Sequence, residues 1–165
     1  MGNILAIDAS TKRTGLAAIV DGELKYDVIA SASNSTEKRI TIMRDGILDY
    51  VKKNNIDKII FEEVRFDLSN ARTYQVLTWL QGCVVVALYE YNKNLNVDFI
   101  GATTWRSNLG LQKYGVKRDA QKLMDIAYAN KTYNLSLTNE QDDEADAICI
   151  LTAYLKQQEP PKGAW

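Results

Sequence analysis

Apolar and polar positions fall into short, clearly bounded blocks along this chain. Residues 3–8, Asn-Ile-Leu-Ala-Ile-Asp, form an apolar run that stops on an acid, the pattern of a buried strand. A polar and glycine-containing turn over 10–15 leads to a second apolar run at 16–20. Asp21-Gly22 is a hairpin signal, and 24–32 supplies a third strand, so a three-stranded meander opens the domain. The period then becomes helical: with Ser35 or Thr36 as cap, Ile40, Met43, Ile47, Leu48 and Val51 predict a helix to about residue 54. A short buried strand at 57–62, built on Ile59-Ile60-Phe61, ends on Glu62 and Glu63. After a loop at 66–69, Asn70 is expected to cap a long apolar helix to about 91, and 96–100 reads as a fifth strand. Residues 103–115 read as irregular, followed by a basic helix over 116–130 and a helix over 139–150 that opens acidic and ends apolar. Thr138 and Gln141 stand at capping-box spacing, which makes Thr138 the expected N-cap. The order βββαβαβ followed by helices predicts one α/β domain over 1–158, a five-stranded mixed sheet flanked by helices on both faces. Pro160-Pro161 should end regular structure and leave 159–165 as a flexible tail.

Composition narrows the chemistry more than the architecture. A chain of 165 residues with 46% hydrophobic content suits a single globular domain. With no histidine, Ser-His and Cys-His nucleophile systems, His-ligated zinc and the usual neutral-pH base are excluded. Cys83 and Cys149 lie in apolar helical patterns and read as reduced core thiols. No apolar run reaches about 18 residues and no leader or lipidation signal is visible, so the expectation is a soluble, cytoplasmic protein.

The net charge of −1 conceals a polarised distribution. Residues 102–131 carry six basic side chains against two acids, a balance of +4, whereas 133–150 carry five acids and no base, −5. A basic segment beside an acidic cluster suits a metal-dependent enzyme acting on a polyanion, and ordinary solvated helices also produce it. Asp143 and Asp146, three apart on one helical face, would repel unless a cation sits between them. Functional groups of open α/β sheets collect at the carboxyl ends of parallel strands, where Asp8 and one of Glu62 or Glu63 lie. If those strands are neighbours and the last helix crosses them, four carboxylates share one pocket. Such a set suits Mg²⁺ or Mn²⁺, and two ions there could activate water and stabilise the leaving oxygen of a phosphodiester displacement. Each acid alone also has a plain reading: an Asx turn at Asp8, a solvent exit at Glu62-Glu63, and a dipole-favoured helix start at 139–146.

Taken together, these residues resemble the RuvC-like Holliday junction resolvases. The likeness runs through Ile-Leu-Ala-Ile-Asp8 with Thr14-Gly15, through Ile-Ile-Phe-Glu62-Glu63-Val with Asn70-Ala71 and Leu80-Gln81-Gly82, and through Asp143-Glu-Ala-Asp146-Ala-Ile. Asp8-Ala9-Ser10 stands where that family has Asp-Pro-Gly. The resemblance implies an RNase H-like fold and a homodimer that cuts a four-way DNA junction symmetrically with Mg²⁺. Asp8, Glu62, Asp143 and Asp146 would be its metal ligands. Counting forward to Phe66 and Asn70 favours Glu63 instead, while the strand ending favours Glu62, and strand alternation lets only one of them reach the pocket.

For DNA contact, the resemblance and the charge pattern together point to Lys12, Arg13, Phe66, Arg72, Arg106, Lys113, Lys117, Arg118 and Lys122. Phe66 would either stack on an unpaired base or staple its own helix. The helix with Tyr74, Val76, Leu77, Leu80, Val84, Val85, Val86 and Leu88 is apolar on more than one face, which fits either a fully buried core helix or one shared with a second subunit. The alternatives are a broader structure-selective or RNA/DNA-hybrid nuclease on the same fold, and a non-catalytic junction-binding protein. An actin-type ATPase would need about twice the length and a second phosphate loop.

Overall fold

The computed structural model describes residues 2–159, so the tail expected over 159–165 lies, apart from Glu159, outside the described residues. The strands are β1 (Asn3–Asp8), β2 (Arg13–Val20), β3 (Glu23–Ala30), β4 (Ile56–Glu62) and β5 (Asn96–Ile100). The helices are α1 (Thr36–Lys53), α2 (Ala71–Tyr91), α3 (Ala102–Asn108), α4 (Arg118–Tyr133) and α5 (Asp142–Gln158), with a 3₁₀ turn at Leu68–Asn70 leading into α2. Sheet order is β3-β2-β1-β4-β5. β1 pairs antiparallel with β2 and parallel with β4, and β4 pairs parallel with β5, so β1 and β4 are central and their carboxyl ends lie side by side.

Strand alternation sorts the core into two layers. Leu5, Ile7, Ile59 and Phe61 face α1 and α2, packing on Met43, Ile47, Val51, Leu80, Val84 and Leu88. Ile4, Ala6, Ala17 and Ile60 face the other way, onto Ala145, Ile148, Cys149 and Trp105. Asp8 follows Ile4 and Ala6 at period two, and Glu62 follows Ile60, so both carboxylates leave the sheet on the α5 side. Glu63 has the opposite parity and is exposed.

Three local expectations change. The 103–115 stretch contains α3, whose Trp105 is fully buried; a seven-residue helix is too short to show a period, and Gly101 at its N-cap position reads as loop. The last helix starts at Asp142 and not after Thr138, because Gln141 N donates to Thr138 O and the Gln141 side chain accepts from Thr138 N at 3.0 Å, closing a turn just before the helix. Cys149 is a core thiol as expected, but Cys83 is exposed, because α2 buries only Leu80, Val84 and Leu88 along one stripe. No helix among the described residues is long and apolar enough to cross a membrane.

Candidate active site

The first turn of α5 lies over the carboxyl ends of β1 and β4, and the reason is visible at Gly15. Gly15 sits opposite Asp8 in the β1–β2 register, and a Cβ on it would meet the Asp143 carbonyl oxygen at 2.0 Å. Only a residue without a side chain lets α5 approach this closely. The loop between β1 and β2 is closed by buried Thr14, whose hydroxyl donates to Ser10 O at 2.6 Å and accepts from Ser10 N at 3.1 Å.

Asp8, Glu62, Asp143 and Asp146 thereby line one cleft of about 460 Å³, together with Arg106, Lys113, Arg118, Gln121 and Lys122. Glu62 is held by its surroundings: its carboxylate accepts from Trp105 Nε1 at 2.7 Å and its carbonyl from Gln81 Nε2 at 2.8 Å. Asp143 accepts from Arg13 Nε at 2.9 Å, and Arg106 Nη2 lies 4.0 Å from Asp146. Glu63 lies instead in an adjoining groove of about 630 Å³ that also holds Asp8, Glu62, Phe66, Asn70, Tyr74 and Arg118.

Crowded acids raise one another's pKa. Burial, then the charges of Glu62 and Asp143, hold Asp8 well above the ordinary carboxylate value despite Arg106 and Lys122. Asp146 is pushed up to about 10 by burial and then by Asp8 and Asp125. Glu62 is raised by burial, a shift that the Trp105 hydrogen bond and Arg106 oppose. Asp146 Oδ1 is buried with no hydrogen-bond partner among the described residues. Among those residues no three acids converge as an ion cage; Glu62 is bonded to Trp105 and Asp143 to Arg13. An all-oxygen donor set with an orphaned carboxylate oxygen on Asp146 suits a hard divalent cation in its chemistry.

Of the expected DNA contacts, Arg106, Lys113, Arg118 and Lys122 ring the acidic cleft, with Lys122 also paired to Asp142. Lys12 and Arg72 line a neighbouring groove with Asp8, Arg39, Arg118 and Asp143. Phe66, 57% exposed, meets Tyr74 edge-on at 5.0 Å. Arg13 is engaged with Asp143 and with Glu144 at 3.6 Å, and Lys117, exposed at the N-cap position of α4, stands outside these clefts. Glu144, which a dipole-favoured helix start over 139–146 would leave in solvent, is buried against Arg13.

Sequence reasoning missed Trp105 as the holder of Glu62, Arg39 in the groove, and the buried acid Asp125. A signal for Asp125 existed: it shares the core stripe of α4 with Ile126 and Ala129, where an acid is out of place.

The sheet order and the carboxylates at its centre define an RNase H-like α/β fold with an acidic cleft at the carboxyl edge of β1 and β4. No protein-family model matches the chain, and no curated protein sequence matches it. Solved structures share its fold. RuvC from Thermus thermophilus, in complex with a Holliday junction substrate, superposes with a TM-score of 0.70 at 18% identity, covering 94% of this chain and 96% of that one. The yeast mitochondrial Holliday junction resolvase Ydc2 gives 0.61 at 13% identity over 94% of this chain and 78% of that one. Fowlpox virus resolvase, with its substrate Holliday junction DNA, gives 0.55 at 13% identity over 96% and 99%.

Proposed function

We propose that this chain is a divalent-metal-dependent endonuclease that resolves four-way DNA junctions by paired phosphodiester hydrolysis. The observation that carries the reading is the gathering of Asp8, Glu62, Asp143 and Asp146 from β1, β4 and α5 into one cleft ringed by Arg106, Lys113, Arg118 and Lys122. That cleft sits on a fold shared with three resolvases, two of them seen with junction DNA.

The four carboxylates would hold Mg²⁺ or Mn²⁺, as one or two ions. Bound there, the metal would supply Lewis-acid activation of water and neutralise charge on the scissile phosphate. Everything else falls to the protein. Trp105 fixes the Glu62 carboxylate from the buried side, and Gly15 sets how closely Asp143 approaches Asp8. Lys113 and Arg118 at the rim seat the phosphate backbone, a sequence-independent contact that weakens as salt rises. Phe66, exposed in the adjoining groove, is placed to stack on a base freed at the branch point.

Paired cuts need two such sites, and α2 offers the surface for a twofold dimer: Trp79, Val86 and Tyr89, on one side of the helix, are all more than 40% exposed. An outer face this apolar on a helix already packed by Leu80, Val84 and Leu88 supports burial against a second copy.

The test is cleavage of a synthetic four-way junction in Mg²⁺ with both incision positions mapped, beside three-way, flap and linear duplex substrates. Symmetric paired incisions in the four-way junction are expected. Activity on linear duplex alone would sink the reading. Glu62→Gln should lose cleavage while Glu63→Gln keeps it within a few-fold; the reverse outcome would assign the ligand to Glu63.

A further inference from the structure

We propose that Asp125, an acid outside the cleft, is a positioning residue that fixes the Arg106 guanidinium beside the candidate metal ligands. The inference rests on the nuclease reading above. Asp125 is fully buried on α4 and is not among the residues lining the acidic cleft. Its Oδ2 accepts from Arg106 Nε at 3.3 Å and from Nη2 at 3.0 Å, while its Oδ1 accepts from Gln121 Nε2 at 3.0 Å. Gln121 is itself tied back to Leu111 O at 3.2 Å, so the acid is held from behind. Across the guanidinium, its Cζ stacks 4.2 Å from the centre of the Trp105 ring, and Nη2 stands 4.0 Å from Asp146 Oδ2.

The arrangement has a chemical logic. An arginine beside Asp8, Glu62 and Asp146 would otherwise collapse onto the nearest of them and occupy the oxygens a cation needs. Asp125 takes the shortest contacts and Trp105 fixes the plane, so the positive charge is kept next to Asp146 at ion-pair range without a hydrogen bond to it. A buried acid is a poor way to fill a core position, because its desolvation must be offset by its partner and an apolar residue would pack there without that penalty. What the ion pair adds over apolar packing is a fixed orientation of one cation at the site where negative charge develops during phosphoryl displacement.

The experiment compares wild type, Asp125→Asn, Arg106→Gln and the pair Asp125→Asn/Arg106→Gln. It reads the single-turnover cleavage rate on a four-way junction in Mg²⁺, junction affinity in Ca²⁺, and the melting temperature. Asp125→Asn should slow cleavage by about 10- to 100-fold, the range for losing a group that orients a first-contact residue, with junction affinity within about twofold. The pair should be no slower than Arg106→Gln alone, because Asp125 acts only through Arg106. It should also regain stability that Asp125→Asn loses by leaving Arg106 unpaired, without regaining the rate. Should Asp125→Asn not fold, the neutral pair carries the test.

A folded pair that cleaves at the wild-type rate would show that the contact is structural only and overturn the proposal. So would additive losses, or an Asp125→Asn variant at full rate. If wild type itself cut no branched DNA, the functional reading would fall and this inference with it. Loss of this inference alone is recognised by an active wild type.

Discussion

At the scale of single residues, the site is a crowd of buried carboxyl groups that raise one another's pKa. Asp8, Glu62 and Asp146 all have raised pKa values, and burial is the first cause in each case. A carboxyl whose folded pKa is raised keeps its proton longer in the folded chain than in the unfolded one. For Asp146 the folded chain therefore binds more protons between the unfolded value, about 4, and about 10. Across that window, metal-free stability falls as pH rises. In EDTA, the urea midpoint of wild type should be lower at pH 8 than at pH 5.5, and Mg²⁺ should raise the pH 8 value. Asp146→Asn should flatten this dependence and stabilise the metal-free protein at pH 8 by on the order of 1–3 kcal/mol. It should also cut cleavage by more than about a hundredfold, beyond the usual loss for an outer-shell group. A metal-free midpoint that rises from pH 5.5 to 8 would contradict the charge crowding.

At the scale of elements, the site depends on one close packing, α5 against β2. Gly15 permits it: the Cβ of any other residue would overlap the Asp143 carbonyl. Gly15→Ala should push the start of α5 off the sheet, costing about 1–3 kcal/mol as an overpacking defect. Cleavage should fall far more than stability, since Asp143 and Asp146 move away from Asp8 and Glu62. Chemical denaturation and a cleavage time course on the same preparation would separate the two; full activity in a folded Gly15→Ala protein would show that the close approach is dispensable. This contact also explains what was legible. Thr14-Gly15 stood out in the sequence as part of a resemblance, but nothing in the local pattern said that the glycine faces an aspartate 128 positions further on. The start of α5 was misread for a related reason: Thr138 and Gln141 fit a capping box by spacing, yet they bond to each other in a turn that precedes the helix.

At the scale of the whole molecule, α2 presents two faces with different work. Leu80, Val84 and Leu88 bury one face in a shared core with Met43 and Ile47 of α1 and Ile59 of β4, while Trp79, Val86 and Tyr89 on the other remain exposed. A second copy on that outer face would supply the second active site that symmetric incision requires. Val86→Glu or Tyr89→Glu should shift sedimentation from dimer to monomer and convert paired incision into slower single nicking, with the fold intact by circular dichroism. Wild type sedimenting as a monomer at assay concentration, yet still cutting in pairs, would remove this surface from consideration.

By itself the sequence determined the elements and the inventory. Strand and helix periods come from local burial, so the five strands and the long helices could be read from Ile4 to Ile7, from Ile59 to Phe61 and from the Met43, Ile47, Val51 stripe. The lack of histidine removed imidazole chemistry and left carboxylates, lysines, hydroxyls or a hard metal ion, and the acids at strand ends pointed to the carboxylates before any fold was known. Tertiary structure decided which acids meet. Glu62 and Glu63 are chemically equivalent and adjacent, and only the facing of β4, with Ile60 turned toward α5, puts Glu62 in the cleft with Asp8, Asp143 and Asp146. The same holds for the supporting contacts. Trp105 to Glu62 and Asp125 to Arg106 join residues 43 and 19 positions apart, and such hydrogen bonds depend on how helices dock, which no local pattern of hydrophobicity encodes.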